Sequence, residues 1–110
     1  MRAPPRGDVD IIIEPHDLEG GKKYEWREAM ALLKEEGKRT FSKKEAHIIC
    51  AYLDEVNAAL ESIGGDKLAS YYWSSTEYNS HTAWFVNFNS GYIAYTSKYY
   101  SFIVRPCAAF

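Results

Sequence analysis

Residues 82–96, TAWFVNFNSGYIAYT, decide the fold of this chain. Two sets of side chains alternate over residues 82–88: Thr82, Trp84, Val86 and Phe88 in one, and Ala83, Phe85 and Asn87 in the other. Such alternation is typical of a strand, and it predicts that the more apolar set faces the core while Phe85 faces away. Asn-Ser-Gly at residues 89–91 predicts a hairpin turn, after which residues 92–96 return as a second strand.

Further strands are predicted on both sides of this hairpin. Residues 71–74 and 102–107 have strand composition, and Pro106 places the end of the last strand at an edge or a bulge. Residues 9–14, VDIIIE, form a β-branched run bounded by Pro15, whereas residues 1–8 predict a tail. We expect residues 9–14 to pair antiparallel with residues 102–107, which would bring the chain ends together.

Two helices are predicted between the first strand and the hairpin. Residues 25–36 place apolar side chains at helical spacing, and Gly37 follows as a left-handed cap. The second helix starts at the capping box of Ser42 and Glu45, and its apolar period continues to Gly64. The order of elements predicts one α+β domain over residues 9–110, with two helices packed on a twisted antiparallel sheet.

The aromatic residues are concentrated at one end of the chain. Residues 71–110 hold thirteen of the seventeen aromatic residues, with Glu77, Lys98 and Arg105 as their only charged residues. A surface rich in Tyr, Ser, Asn and Gly is typical of a binding face. A twisted sheet whose aromatic side chains fill its own core has the same composition, so composition leaves both interpretations open.

The distribution of charged and apolar residues argues against nucleic acid as a partner and against membrane insertion. The chain has 13 basic and 15 acidic residues, and no basic stripe is interleaved with the aromatic residues, so nucleic acid is not expected as a partner. No apolar run approaches the roughly 18 residues of a membrane-spanning helix, so no membrane insertion is expected. The start of the chain has neither the apolar segment of a signal peptide nor a lipidation motif.

No arrangement of residues predicts catalysis, a cofactor or a metal. Ser74, Ser75 and His81 suggest a nucleophile and a base, but no acid is placed to orient the histidine. Cys107 would need a nearby base to act as a catalytic thiol. Cys50 and Cys107 lack the spacing of metal ligands, and we favour two buried thiols, with a disulfide as the alternative in an oxidising compartment.

Several short motifs give the chain a family resemblance. WSSTEY at residues 73–78, AWFVNFNSG at 83–91 and VRPC at 104–107 resemble the C-terminal part of the C-type-lectin-fold variable proteins of diversity-generating retroelements. EWREA at 25–29 and GKRT at 37–40 resemble the two-helix half of formylglycine-generating-enzyme-like and related bacterial lectin-fold domains. The resemblance implies a C-type-lectin-like fold.

The resemblance also implies which residues vary. In that family a reverse transcriptase copies a template with errors at adenines, so that selected positions change while framework positions stay fixed. Framework letters here include Trp73, Trp84, Lys98 and Arg105, and the variable region spans about residues 79–103. The implied variable, ligand-binding residues are His81, Thr82, Phe85, Tyr92, Ala94, Tyr95, Thr96, Ser97, Tyr99, Tyr100 and Phe102. All are types that adenine changes in AAC or AAT codons can produce.

The implied function is non-catalytic binding of a macromolecular ligand, a protein or a glycan on a target surface. The reactive cysteine pair of formylglycine-generating enzymes and the Glu-Pro-Asn loop of calcium-dependent lectins are both missing, and Ile103 stands where the family commonly has Arg. The missing export signal suggests a phage virion protein or another route of display. The alternative is a structural or assembly protein whose tyrosine-rich face is an interface in a homo-oligomer.

Overall fold

A computed structural model describes residues 11–109, with side chains to residue 108. The predicted tail and the first two residues of the predicted N-terminal strand lie outside the described residues. The fold class is α+β as predicted, with antiparallel sheets and three helices in the described part of the chain. None of these helices is long and apolar enough to cross a membrane.

The strands form three separate antiparallel units. Their bounds are β1 Ile11–Ile13, β2 Tyr24–Glu25, β3 Tyr71–Glu77, β4 Thr82–Asn87, β5 Tyr92–Ser97, β6 Ser101–Phe102 and β7 Cys107–Ala109. The central sheet has the order β3-β4-β5, while β1 pairs with β7 and β2 pairs with β6. The short strand β2 is not apparent in the sequence pattern.

The central hairpin confirms the prediction made from residues 82–96. β4 and β5 pair from Asn87↔Tyr92 to Thr82↔Ser97 without a shift in register. Gly91 has φ of 77°, and its N–H donates to the Asn87 carbonyl at 2.8 Å. A side chain at this position would meet the steric penalty of the left-handed region, which explains the glycine.

The chain ends pair as predicted, but the pairing residues differ. β1 lies antiparallel to Cys107–Ala109, so the partner of β1 begins where the predicted strand 102–107 was expected to end. The predicted strand is instead divided into β6 and β7. Pro106 has no N–H for a strand ladder, and Arg105 turns its side chain fully inside the protein.

The predicted second helix is in fact two helices. α1 spans Trp26–Glu35, α2 spans Lys43–Ala51 and α3 spans Leu53–Ser62. The break lies at Tyr52, which has φ of −121° and ψ of 25° and whose N–H donates to Ile49 O at 3.1 Å. The prediction of a single helix was therefore wrong. The apolar period continues across the break, so the sequence pattern gave no signal of it.

Both faces of the central sheet are covered by core residues. One core is formed by α2, α3, β1 and one face of the sheet, and it contains Ile49, Val56, Leu60, Tyr72, Val86 and Phe88. The other core packs α1 against the opposite face and contains Trp26, Ala29, Trp73, Phe85 and Val104. The predicted core positions Trp73, Val86, Phe88 and Val104 are confirmed as buried.

Two expectations on β4 were wrong. Phe85 was predicted to face away from the core, but it is only 8% exposed and lies in the second core. Trp84 was predicted to be buried, but it is half-buried. The alternation was correct, but it cannot show that both faces of a sheet are covered in the middle of a strand.

Candidate functional site

Six tyrosine side chains are exposed, and all of them belong to residues 71–100. They are Tyr71, Tyr78, Tyr92, Tyr95, Tyr99 and Tyr100, with exposed fractions from 43% at Tyr71 to 73% at Tyr99. Ile63 is the remaining exposed large apolar side chain among the described residues. Exposed aromatic side chains concentrated in this way are a mark of interaction surfaces.

One group of rings, the Phe85 cluster, consists of Tyr71, Phe85, Tyr92, Tyr100 and Phe102. The Phe85 ring lies 5.8 Å from Tyr71, 6.0 Å from Tyr92 and 5.1 Å from Phe102, measured between centroids. Tyr100 extends the cluster through Phe102 at 6.5 Å. The buried Phe85 therefore forms the floor of the cluster, and three exposed tyrosines form its outer surface.

A second group, the Trp84 cluster, consists of Lys43, Tyr78, Trp84 and Tyr95. The Tyr78 and Tyr95 rings are stacked with centroids 3.8 Å apart, and both meet Trp84 nearly edge-on. A hydrogen bond with Tyr78 raises the pKa of the Tyr95 hydroxyl. The Lys43 ammonium lies 3.8 Å above the centroid of Trp84, a cation–π contact from the first turn of α2.

The two clusters lie on opposite sides of the central sheet. Trp84 and Phe85 are consecutive in β4, and consecutive strand residues point to opposite faces. β5 contributes to both clusters, because Tyr92 lies on the Phe85 side and Tyr95 on the Trp84 side. The predicted binding residues therefore do not form one flat face.

The remaining predicted residues lie around the edges of these clusters. Thr96 and Ser97 are half-buried at the end of β5, Tyr99 is exposed in the turn after it, and Ala94 packs partly against the second core. His81 and Thr82 belong to a turn in which the Asn79 side-chain oxygen accepts from both of their backbone N–H groups, at 2.8 and 2.9 Å.

Four cluster members were not among the predicted site residues: Lys43, Tyr71, Tyr78 and Trp84. Tyr71 precedes the buried Tyr72, so the alternation of β3 contained a signal that it faces the other side. Tyr78 follows an irregularity in the register of β3 between Trp73 and Glu77, and no periodic signal identifies it.

Lys98 fixes the turn that carries Tyr99 and Tyr100. Its side chain is 2% exposed, and its ammonium group pairs with Glu77, donates to Ser80 O at 3.2 Å and lies 4.6 Å from the Trp26 ring centroid. Its carbonyl accepts from Trp26 N–H at 3.2 Å. The Lys98 ammonium is buried and satisfies these partners, which explains why a lysine occurs in a segment whose neighbouring tyrosines are exposed.

The Ser and Cys positions considered for catalysis have structural contacts. The Ser74 hydroxyl is buried and donates to Trp84 O at 2.7 Å. Cys107 is buried in the first core, and burial raises the pKa of its thiol to about 12. Cys50 and Cys107 are both free thiols, but Cys50 is half-buried, so the prediction of two buried thiols was wrong for Cys50. No group of three or more metal-binding side chains occurs within the described residues.

Comparisons with known proteins do not assign the chain. No model of a protein family matches the sequence, and no curated protein is significantly similar to it.

Proposed function

We propose that the protein is a C-type-lectin-like variable protein of a diversity-generating retroelement, which binds a macromolecular ligand through diversified side chains on a constant scaffold. Binding is non-catalytic in this proposal, and the ligand is a protein or a glycan on a target surface.

The observation that carries the proposal is the difference in burial between two sets of positions. Among the framework letters, Trp73, Val104 and Arg105 are 0% exposed and Lys98 is 2% exposed, whereas Trp84 is half-buried. Of the eleven positions that the resemblance implies to be variable, only Phe85 is buried. Residue types alone do not require this division, so it supports a constant interior under a variable surface.

The contacts of the framework residues also support a constant scaffold. The Trp73 indole N–H donates to Tyr24 O at 2.8 Å, and the Trp26 indole N–H donates to Ser74 O at 2.9 Å. These bonds attach β3 to β2 and α1 and use no side chain of a variable position. Substitutions at exposed positions would therefore leave them in place.

The DNA beside the gene tests the retroelement part of the proposal. We expect a near-copy of the codons for residues 79–103 that differs mainly where the copy has adenine, together with a reverse-transcriptase gene. A neighbourhood that lacks both would remove the retroelement from the proposal and leave a binding domain.

A substitution series tests whether the exposed tyrosines lie outside the scaffold that stabilises the fold. Changing Tyr92, Tyr95, Tyr99 and Tyr100 together to Ser should shift the free energy of unfolding little, because exposed positions usually change it by about 0.5 kcal/mol or less each. Phe85→Ser should cost about 3 kcal/mol or more, because it empties a buried site. Urea unfolding measures both, and Ile63→Ser is the control for removing an exposed apolar side chain.

Light scattering on the same variants separates binding from assembly. We expect the fourfold Tyr→Ser variant to keep the molecular mass of the parent. If the parent is an oligomer that the fourfold variant dissociates, the tyrosines form a subunit interface and the assembly function replaces the proposed one.

A further inference from the structure

The Phe85 and Trp84 clusters both include residues of β4 and β5, and β5 lies at the edge of the central sheet. β3 and β4 also carry ring residues, but β5 is the outermost strand of the order β3-β4-β5. A ligand that runs along this edge can contact both clusters, because Tyr92 and Tyr95 lie on opposite faces of β5. Resting on the proposed binding function, we propose that the ligand binds as an extended peptide segment that adds an antiparallel strand to β5.

The outer edge of β5 has unpaired backbone groups. Lys98 N–H donates to His81 O at 2.9 Å, and bonded pairs alternate along an antiparallel ladder. Ala94 and Thr96 therefore bond to β4, whereas Ile93 and Tyr95 direct their N–H and C=O groups away from it. Within residues 11–109, no other group forms a hydrogen bond with these outward groups of Ile93 and Tyr95.

The opposite edge of the same sheet is closed by the rest of the protein. In β3, Trp73 N–H donates to Ile103 O at 3.0 Å and Ser75 N–H donates to Phe41 O at 2.9 Å. The register of β3 also shifts between Trp73 and Glu77. Folded proteins protect an open edge with charges, prolines or bulges, and Tyr92–Ser97 has no charge, no proline and no register shift.

The chemistry of this edge fits a peptide. Alternating donors and acceptors are matched by the main chain of another strand about 4.8 Å away, whereas a sugar has no such repeat. β5 itself is uncharged, so the added strand should carry mainly apolar or aromatic side chains opposite Tyr92 and Tyr95. Lys43 forms no ion pair with a described carboxylate. An acidic residue of the peptide that lies beside Trp84 could therefore pair with the Lys43 ammonium.

Strand addition also accounts for binding by a surface whose side chains vary. Main-chain hydrogen bonds to Ile93 and Tyr95 do not depend on which side chains occupy the variable positions. They would provide a constant part of the affinity, while the side chains of the two clusters would select among peptides.

The test uses peptides selected from a phage-displayed random library against the immobilised protein. Each selected sequence is synthesised in two forms, one N-methylated at the odd-numbered residues and the other at the even-numbered residues. Each form loses the N–H groups along one edge of the extended peptide and keeps all its side chains. One form should bind like the parent peptide, and the other should lose at least about tenfold in affinity, because several main-chain hydrogen bonds disappear together. Hydrogen exchange should slow at the Ile93 and Tyr95 amides when the parent peptide binds.

Equal binding of both methylated forms, or unchanged exchange at Ile93 and Tyr95, would overturn strand addition. So would the failure to select any peptide, or a glycan that binds without protecting these two amides. Protection that rises with protein concentration alone, with a doubled mass, would assign the edge to a second copy and overturn the peptide. None of these outcomes depends on the fourfold Tyr→Ser series, whose dissociation would instead contradict the proposed function itself.

Discussion

At the scale of single residues, Arg105 shows how a buried charge can hold loops together. Its side chain is fully buried, and its guanidinium donates to the Asp17 carboxylate at 2.8 Å and to the carbonyls of Glu14, Asp66 and Lys67 at 2.9–3.3 Å. The Tyr72 hydroxyl donates to the same carboxylate at 2.8 Å. Burial and the Asp17 charge raise the pKa of Tyr72, so this hydroxyl stays protonated as a donor.

Replacing Arg105 should therefore be costly. Arg105→Met would leave the Asp17 carboxylate and several carbonyls without their donor, and we expect a loss of about 3–5 kcal/mol in the free energy of unfolding. Arg27→Met is the matched control, because Arg27 is exposed and, within the described residues, donates only to Ser80 O, at 2.7 Å. Urea unfolding measures both variants, and losses of similar size would show that the buried network adds nothing.

These single-residue roles could be predicted only in part. The motif resemblance implied that Lys98 and Arg105 are framework positions, but the partners of both come from distant parts of the chain. Arg105 meets Asp17 across 88 residues of sequence, and Lys98 meets Glu77 across 21. Periodicity describes neighbours within one element, so it contains no information about such contacts.

At the scale of elements, α2 begins at a capping box that the sequence predicts and the structure confirms. Ser42 Oγ accepts from Glu45 N–H at 3.1 Å, and the Glu45 carboxylate accepts from Ser42 N–H at 2.8 Å. The same carboxylate binds Arg39 through two hydrogen bonds, at 2.7 and 2.8 Å. Arg39 also pairs with Cys107, so the cap connects α2 to the segment that closes the domain.

The stability of this cap should depend on pH. Burial raises the pKa of the Glu45 carboxyl, but the hydrogen bonds from Arg39 and Ser42 outweigh it, so the pKa lies below the ordinary value of 4.5. A lowered pKa stabilises the folded state at pH values above the unfolded pKa, and this contribution is lost as pH falls through the folded pKa. Glu45→Gln should cost about 1–2 kcal/mol near pH 7 and much less at about pH 3.

Urea unfolding at the two pH values measures this difference. Glu35→Gln, an exposed glutamate of α1, is the control for removing a carboxylate elsewhere on a helix. A cost for Glu45→Gln that stays constant between neutral and acidic pH would contradict a role of the charged carboxylate. The comparison is made within each pH, so general acid destabilisation cancels.

The sequence predicted elements well where a local signal marks them. The capping box, Gly37 with φ of 69° and the hairpin at Gly91 are all present. The break at Tyr52 was not predicted, because the apolar period is the same on both sides of it. The burial of Phe85 was not predicted either, because it depends on α1, which lies far away in sequence.

At the scale of the whole molecule, the ribbon formed by the paired strands β1 and β7 joins the first and last strands of the described residues and closes the first core. Ile11 and Ile13 are fully buried in that core, whereas Ile12 between them is half-buried and pairs with Ala108. Arg39 N–H also donates to Cys107 O at 3.0 Å, so the ribbon is attached to the segment before α2. The scaffold under the aromatic clusters therefore depends on residues at both ends.

The closing ribbon gives a prediction that uses the same substitution at adjacent positions. Ile11→Ala should lower the free energy of unfolding by about 2–5 kcal/mol, because it leaves a cavity in the core. Ile12→Ala removes the same atoms from a half-buried site and should cost about 1 kcal/mol. Both are measured by urea unfolding, with tryptophan fluorescence as the signal. Equal costs at the two positions would mean that β1 does not close the core in this register, and the scaffold would then require another source of stability.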